Sequence, residues 1–335
     1  MAKQLADLGI DPSMMTGGGG NLQTNEGPDH ARFRRVVSRW FTPRAVDRMR
    51  PLVRARTEEL LAPLTDTGGG DFMRDVSARV PGPVFCWMMG ADPAAGDRLF
   101  SLAEILLKAF DGNFDDAEVL LGAAAEMQEF VEALAAEKKA EPDGQLMSVL
   151  LAASDAGEIT EADVRSLSFE MLSASTDNTA HSMAGAMTIL AEHPDEYERL
   201  RADRSLIPSA VEECLRLVPR VVSDPHYTEH GTTLLGVEIP PDTMVHFHSV
   251  VGNVDPSIYP DPEVFDIGRE HARPQLNFGV GRHYCLGAAL ARMEMQEILD
   301  TVCDAWSSFT VDNGAEIETT VTLHIESLPL SVTPA

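Results

Sequence analysis

The stretch FGVGRHYCLGAALARME, from Phe278 to Glu294, places Cys285 between a glycine-rich loop and a helix. Three glycines flank the cysteine, at Gly279, Gly281 and Gly287. Glycine has no Cβ, so such a loop lets backbone approach a flat or bulky group closely. Good helix formers follow Gly287, and free N–H groups at a helix start favour an anion. A thiolate there would be stabilised and could bind a metal ion, although a lone cysteine is also often a small buried apolar residue.

The pattern FxxGxxxCxG, formed by Phe278, Gly281, Cys285 and Gly287, resembles the haem-ligand signature of the cytochrome P450 family. The resemblance implies that the Cys285 thiolate binds the iron of haem b, with Phe278, Gly279 and Gly287 against the cofactor. In that family, thiolate donation to iron favours cleavage of the O–O bond. A cysteine-dependent hydrolase is an alternative that needs only Cys285 and a histidine, and such a protein would be colourless.

Composition narrows the class of protein further. There are 26 Lys and Arg against 53 Asp and Glu, a formal charge of −27, which argues against binding to nucleic acid or to an anionic membrane. The four cysteines form no CxxC pair, so neither a disulfide framework nor a zinc site is indicated. No apolar run approaches the roughly 18 residues of a membrane span. We therefore expect a soluble protein of the reducing cytoplasm.

The first predicted helix carries a histidine and an arginine on one face. Residues 1–25 are rich in Gly and Met, which indicates a flexible N-terminal loop. Helical spacing then runs from His30 to Phe41 and aligns His30 with Arg34. Such a pair is often only part of a solvated polar face. The resemblance implies instead that HxxxR, followed by FTPR, holds a haem propionate.

Nine arginines and a single acid, Asp47, lie between Arg32 and Arg56. In a chain that is otherwise acidic, this arginine segment forms a local basic surface. We expect it to dock an acidic electron donor, a ferredoxin that is served in turn by a ferredoxin reductase. The alternative is that these arginines mainly make internal ion pairs and propionate contacts.

A long helical pattern from Glu161 to Glu192 is too apolar for a surface helix, so we expect it to cross the core. Its middle contains a polar run, which a buried helix tolerates only when the polar groups have hydrogen-bond partners. Those partners could be backbone groups at a local kink, or a ligand. The resemblance implies an oxygen-binding kink, with Ala174 against the cofactor. It also implies that Asp177, as a carboxylate near solvent, delivers protons together with Asn178 and Thr179. The family pattern has Gly and Thr where this chain has Ser175 and Asn178.

Two further motifs match the family in order and spacing. Glu213 and Arg216, by themselves an ordinary i, i+3 pair, resemble the ExxR pair that braces the haem loop and takes no part in chemistry. Short β-type runs follow between residues 232 and 249. In the family, the positions of His226 and His283 often meet a propionate. We therefore expect both histidines to help hold the two propionates.

The resemblance covers about Thr24 to Ala335. It implies a mainly α (α+β) fold of the cytochrome P450 type, a single domain over residues 1–335 that is N-terminally shortened relative to the family. The implied reaction inserts one oxygen atom from O₂ into a small hydrophobic substrate. That substrate would face Leu172, Ser173, residues 219–224 and the region from Phe100 to Glu126. The alternative, which Asn178 favours, is a haem-binding relative with lost, uncoupled or peroxide-driven activity.

Overall fold

The structure, a computed structural model, describes residues 19–110, 117–270, 275–312 and 314–335. Thirteen α-helices and nine short strands lie in these ranges, so the prediction of a mainly helical α+β fold is confirmed. The helices are α1 Gly27–Val37, α2 Pro43–Val46, α3 Arg50–Thr67, α4 Phe72–Asp75, α5 Pro81–Met89, α6 Gly96–Phe110, α7 Ala117–Ala140, α8 Leu146–Asp155, α9 Glu161–Glu192, α10 Pro194–Ala202, α11 Ile207–Leu217, α12 Ser249–Gly252 and α13 Ala288–Ala305. The strands are β1 Gly69–Asp71, β2 Ser223–Thr228, β3 Thr232–Leu234, β4 Val237–Ile239, β5 Thr243–His248, β6 Trp306–Val311, β7 Glu316–Thr319, β8 Leu323–Ser327 and β9 Pro329–Pro334.

Helix α9 is the element around which the other helices pack. It begins at a capping box in which Thr160 and Asp163 satisfy each other's backbone N–H groups. Helices α5, α6, α7, α8 and α11 all contact it, which explains why its apolar residues are not confined to one stripe. The helix runs through its polar middle without a break. Hydroxyls there bond to carbonyls of the preceding turn, as Ser173 does to Phe169 at 3.0 Å.

The segment before α1 is held against α9. Glu170 accepts the backbone N–H of Leu22 at 2.8 Å and that of Gln23 at 2.9 Å, and Asp163 accepts that of Gly20 at 2.9 Å. Hydrogen bonds to Asp163 and Glu170 therefore hold the backbone of Gly20, Leu22 and Gln23, and a flexible loop over residues 1–25 as a whole stays a prediction. Residues 1–18 of that loop lie outside the described residues.

Helix α13 follows the Cys285 loop and joins two parts of the fold. It packs on α3 and on α11, and Arg50 and Arg54 of α3 both pair with the buried Glu297.

On α11, the Glu213–Arg216 pair is fully buried, with nitrogen to oxygen distances of 2.7 and 2.8 Å. Arg216 also donates to three backbone carbonyls, those of Asn253, Pro262 and Val264. This pair therefore braces the chain ahead of the Cys285 loop.

The strands form small antiparallel sheets. One has three strands in the order β1-β9-β6, and the others are the pairs β2-β5, β3-β4 and β7-β8. The β7-β8 hairpin reaches α9, where the Ile325 N–H donates to His181 Nδ1 at 3.0 Å. That residues 1–335 form a single domain stays a prediction.

Candidate active site

The Cys285 loop turns on two glycines before it presents the thiol. Gly279 (φ +66°) and Gly281 (φ +74°) have left-handed backbone conformations, which L-residues with a Cβ rarely adopt. A Cβ at either position would meet nothing within 4 Å, so conformation and not crowding selects glycine there. The Cys285 N–H donates to the Phe278 carbonyl at 2.8 Å and closes the loop. Gly287 has an ordinary φ of −79° and immediately precedes α13.

Cys285 is exposed, whereas Cys86, Cys214 and Cys303 are buried, so it is the accessible thiol among the four cysteines. The surrounding protein still desolvates the sulfur and raises the pKa of the Cys285 thiol. The backbone N–H groups of Gly287 and Ala288 oppose this shift only in part. The sequence-based expectation of a thiolate stabilised by the helix start is therefore wrong for the free thiol. A bound cation would have to replace the proton.

Three of the four predicted propionate ligands come together beside this loop. The rings of His30 and His283 lie 4.5 Å apart between centroids. The positive charge of Arg34 helps to lower the pKa of His30, and it partly opposes the rise in the pKa of Cys285. Its guanidinium therefore lies near both residues. Burial is the larger cause of the lowered pKa of His30. Its Nε2 is buried without a hydrogen-bond partner among the described residues, although buried polar atoms are normally paired.

His283 faces an acceptor at each ring nitrogen. Its Nδ1 lies 3.2 Å from the Leu22 carbonyl oxygen and its Nε2 lies 2.8 Å from Glu26 Oε1. The Leu22 carbonyl and the Glu26 carboxylate therefore hold the His283 ring in place against His30.

His226, the fourth predicted ligand, lies on β2 and its side chain is about half exposed. Its Nε2 is 3.0 Å from Asp224 Oδ2, and its ring packs edge-on against Phe247. No contact described in the structure joins it to His30, Arg34 or His283. A propionate role for His226 would require it to exchange its Asp224 partner.

The polar middle of α9 opens on one face only. Ala174 is exposed and Asn178 is partly exposed, while Thr176, Asp177 and Thr179 are buried. Residues 174 and 178 lie one turn apart, so they share a face. The Asn178 side-chain amide donates to the Ala174 carbonyl at 3.2 Å. Ala174 and Asn178 are therefore the members of this run that a ligand can reach directly.

Asp177 lies inside a buried polar network instead. Its Oδ2 is 2.6 Å from the guanidinium of Arg220 and its Oδ1 is 3.1 Å from His181 Nε2. Burial raises the pKa of Asp177, but the hydrogen bonds and charges of His181 and Arg220 together hold it well below its usual range. The expectation that Asp177 lies near solvent is wrong, because Arg220 reaches into the core to pair with it.

This network resembles a metal site in composition, since Asp177, His181 and His324 are buried with ligand atoms close together. Two contacts argue against a metal ion there. Arg220 already supplies the positive charge, 3.5 Å from His324 Nε2. The His181 Nδ1 accepts the Ile325 N–H, so its Nε2 carries the proton that Asp177 accepts and offers no lone pair. The cluster is therefore an ion pair between Asp177 and Arg220 with two histidine rings packed against it.

Thr179 faces Glu294 of α13, which links α9 to the helix after Cys285. Glu294 is 1% exposed, and burial raises its pKa well above the usual range, while the Thr179 hydroxyl opposes this only in part. No partner within ideal hydrogen-bond geometry satisfies its oxygens in the described chain. Glu294 is therefore a buried carboxyl whose raised pKa favours the protonated form, and it faces Thr179, the residue after Asn178.

Arg220, His181 and Glu294 were not predicted as site residues from the sequence. Each of them nevertheless has a sequence position that indicates burial. Arg220 stands in an apolar run before β2, His181 follows Asp177 by one helical turn, and Glu294 falls on the apolar side of α13. Each is a charged or titratable residue in a position that must be buried, and such residues are rarely buried without a partner.

The sequence and the structure were compared with known proteins. The family Cytochrome P450 matches residues 97–320, which is more than half of the chain. The chain belongs to the cytochrome P450 family. It is a cytochrome P450 monooxygenase of the bacterial type, and the family implies a haem cofactor.

Relatives of this cytochrome P450 include an epoxidase and a hydroxylase. Cyclomarin C epoxidase of Salinispora arenicola is 35% identical over 296 residues, which are 87% of this chain and 75% of that protein. The vitamin D(3) 25-hydroxylase of Pseudonocardia autotrophica is 32% identical over 294 residues, 87% of this chain and 70% of that protein. Among the described residues, no helix is both long and apolar enough to cross a membrane.

Solved structures agree with the assignment. The crystal structure of CalO2 is 25% identical and superposes with a TM-score of 0.92 over 99% of this chain and 85% of that chain. The tirandamycin C-bound P450 monooxygenase TamI is 27% identical, with a TM-score of 0.85 over 95% of this chain and 79% of that chain. The fold of the described residues is therefore that of a cytochrome P450.

Proposed function

We propose that this cytochrome P450 inserts one oxygen atom from O₂ into a small hydrophobic organic molecule, using haem b and electrons from a ferredoxin-type partner. The observation that carries the proposal is the exposed thiol of Cys285, presented by a loop with two left-handed glycines beside the unpartnered His30 Nε2. A hydrolase would need a histidine within hydrogen-bond reach of that thiol, and no such contact is described in the structure.

The residues present fit a haem. Cys285 Sγ would be the iron ligand, and the Gly287 and Ala288 N–H groups, which already act on the sulfur, would share the charge of its thiolate. His30 and Arg34 would bind the carboxylates, since a buried anion requires local donors. His283 and His226 would join them by exchanging their Glu26 and Asp224 partners. Phe278, Gly279 and Ala174 would lie against the ring. When bound, the haem supplies the iron at which O₂ is activated.

On the oxygen side, we assign proton delivery to Asp177, Asn178 and Thr179. Asn178 offers an amide on the open face of α9, which can both donate to and accept from a water molecule. Asp177 is bound to Arg220 and His181, so it passes a proton on only when one of those contacts opens. Thr179 lies against the protonated Glu294, which gives it a proton source that does not require Asp177 to move.

The substrate class follows from the residues at the open face and from the relatives. Ser173 and Ala174 are accessible on α9 and Leu172 is buried beside them. The named relatives are an epoxidase of cyclomarin C and a hydroxylase of vitamin D(3). Part of the region from Phe100 to Glu126, which the sequence analysis assigned to the pocket, lies outside the described residues.

The electron donor would dock on exposed arginines of the arginine segment. Four of its nine arginines are used in ion pairs within the protein: Arg32, Arg50, Arg54 and Arg56. Four others are exposed and pair with no carboxylate among the described residues: Arg35, Arg39, Arg44 and Arg48. These four form a compact basic surface on α1, α2 and the turns around them. All four cysteines are free, which fits the cytoplasm as the compartment.

The test is spectroscopic and chemical. The purified protein, reduced under carbon monoxide, should show a thiolate-ligated haem spectrum, and Cys285→Ala should abolish that spectrum while Cys303→Ala leaves it unchanged. With ¹⁸O₂, a reductase and a ferredoxin, one labelled oxygen atom should appear in the product. A colourless protein would refute haem binding, and unlabelled product would refute oxygen insertion.

A second candidate is a haem protein whose oxygen activation is uncoupled or driven by peroxide. Asn178 favours it, because its amide is bonded to the Ala174 carbonyl and it has no hydroxyl to act as a relay. Product formed per electron consumed separates the two. Low coupling in the wild type that rises in Asn178→Thr would favour the second candidate, and high coupling in the wild type would exclude it.

A further inference from the structure

Strand β5 carries a set of metal-binding side chains on one face. It reads Thr-Met-Val-His-Phe-His from Thr243 to His248, and alternation along a strand puts Met244, His246 and His248 on the same side. All three residues are exposed. In the β2-β5 ladder His226 pairs with Val245, so the predicted propionate ligand faces the opposite side of the sheet. Met244, His246 and His248 therefore share a face with Ser223, opposite the face of His226.

The contacts of His246 orient its ring as a metal ligand. Its Nδ1 lies 2.9 Å from the hydroxyl oxygen of the buried Ser223, and its Nε2 lies 3.0 Å from the sulfur of Met244. The serine oxygen can accept the Nδ1–H, as the outer partners of metal-bound histidines commonly do. In that tautomer, the lone pair on His246 Nε2 and a lone pair of the Met244 sulfur point toward the same position.

These two atoms lie close enough to share one ion after a small rotation of the Met244 side chain. Typical bonds of about 2.0 Å from nitrogen and about 2.3 Å from sulfur, set at a tetrahedral angle, separate the two ligand atoms by about 3.5 Å, compared with the 3.0 Å between them here. His248 supplies a third donor, since its ring lies nearly parallel to that of His246 at 6.4 Å between centroids, with 23° between the planes. Its exposed side chain is free to rotate toward the ion.

We propose that Met244, His246 and His248 form a surface site for a soft transition-metal ion, with Cu(I) as the preferred ion. Thioether sulfur and imidazole are the ligands that Cu(I) prefers, whereas the hard cations Mg²⁺ and Ca²⁺ require oxygen ligands. The site differs from the buried cluster of Asp177, His181 and His324, where Arg220 already occupies the position of the cation. The excess of acidic residues over the whole chain also favours a bound cation.

The experiment is a titration of the haem-loaded protein with Cu(I) under anaerobic conditions, in competition with a chromophoric Cu(I) chelator. Haem loading keeps Cys285 engaged, so the thiol does not compete. We expect one equivalent of Cu(I) in the wild type, an affinity lower by about tenfold or more in His246→Ala, and a similar loss in Met244→Leu. His230→Ala, in the exposed turn after β2, should bind as the wild type does.

A parallel titration with Ni(II) tests the ligand set. Nickel binds imidazole and not thioether by preference, so Met244→Leu should keep Ni(II) binding while His248→Ala loses it. The haem spectrum of each variant shows whether it is folded. The proposal is overturned if the wild type does not compete for Cu(I), or if His246→Ala and Met244→Leu bind Cu(I) as tightly as the wild type.

Discussion

The Cys285 thiol shows how one residue can be prepared for a cofactor and still be protonated without it. Because desolvation raises the thiol pKa, thiolate ligation must release a proton. Haem affinity should therefore rise by about tenfold per pH unit as long as the pH stays below that pKa. Haem titrations of the apoprotein between pH 6 and pH 8 measure this slope. Cys285→Ala should remove the slope, and a wild-type affinity that is independent of pH would contradict the raised pKa.

Arg220 is the residue whose loss should be most costly in the buried network. Its side chain is 3% exposed, and Arg220→Ala would leave the Asp177 carboxylate in the core without its cation. Breaking one partner of a buried pair typically costs about 3–5 kcal/mol. Urea unfolding of the variant should show a loss of that size in the free energy of unfolding.

Two matched variants check the cause. Arg74→Ala breaks the exposed pair with Asp75, and exposed pairs contribute little, so it should unfold near the wild-type midpoint. Adding Asp177→Asn to Arg220→Ala removes the unpaired charge and should recover part of the stability. If Arg220→Ala unfolds like Arg74→Ala, the network does not hold α9 to the β7-β8 hairpin.

Single residues also show which contacts cannot be predicted from local sequence patterns. The conformations of the glycines before Cys285 could be predicted because they depend on neighbours within a few positions. The bracing role of Glu213–Arg216, which reaches Asn253, Pro262 and Val264, was predicted only through the resemblance to the family. Asp177 was misplaced toward solvent because its partner, Arg220, lies 43 positions away, and helical spacing contains no information about such a contact. The burial of Glu294 could not be predicted for the same reason, because it depends on the packing of α13 on α9.

At the scale of elements, α1 and α2 present the basic surface to which we assign electron-donor docking. Reversing Arg35, Arg39, Arg44 and Arg48 to Glu should slow reduction by a ferredoxin by about tenfold or more at low salt, because charge complementarity raises the association rate. The wild-type rate should fall as salt rises, and the reversed variant should lose this dependence. Stopped-flow reduction measures both. Arg74→Glu, on α4, is the control, and equal rates in both variants would place the docking surface elsewhere.

Helix α13 joins the Cys285 loop to α9 through a carboxyl that keeps its proton. Since the pKa of Glu294 is raised above 4.5, the folded state binds a proton that the unfolded state loses, and the free energy of unfolding falls as pH rises above about 4.5. Glu294→Gln removes this dependence, so it should be more stable than the wild type at pH 7, with a difference that shrinks toward pH 4.5. Thermal unfolding across this range tests the sign. Glu132→Gln, on the exposed side of α7, is the control for losing one carboxylate.

For the whole molecule, the imbalance of 53 acidic against 26 basic residues decides how it responds to salt. Even if every Lys and Arg were paired, 27 carboxylates would remain to repel one another, and this repulsion opposes the compact state. Salt also weakens ion pairs such as those between α3 and α13, but Glu297 in that network is buried and is screened less than the exposed carboxylates. Screening of the repulsion should therefore dominate.

The screening length falls from about 10 Å at 0.1 M salt to about 3 Å at 1 M, so most of the effect should appear within that range. A gain of about 1 kcal/mol corresponds to roughly 2–4 °C in domains of 150–250 residues, and we expect a rise in Tm of a few degrees. Sodium chloride is the salt to use, because sulfate also strengthens apolar burial. A Tm that falls between 0.1 and 1 M sodium chloride would show that the ion pairs, and not the excess acids, control the electrostatics of the fold.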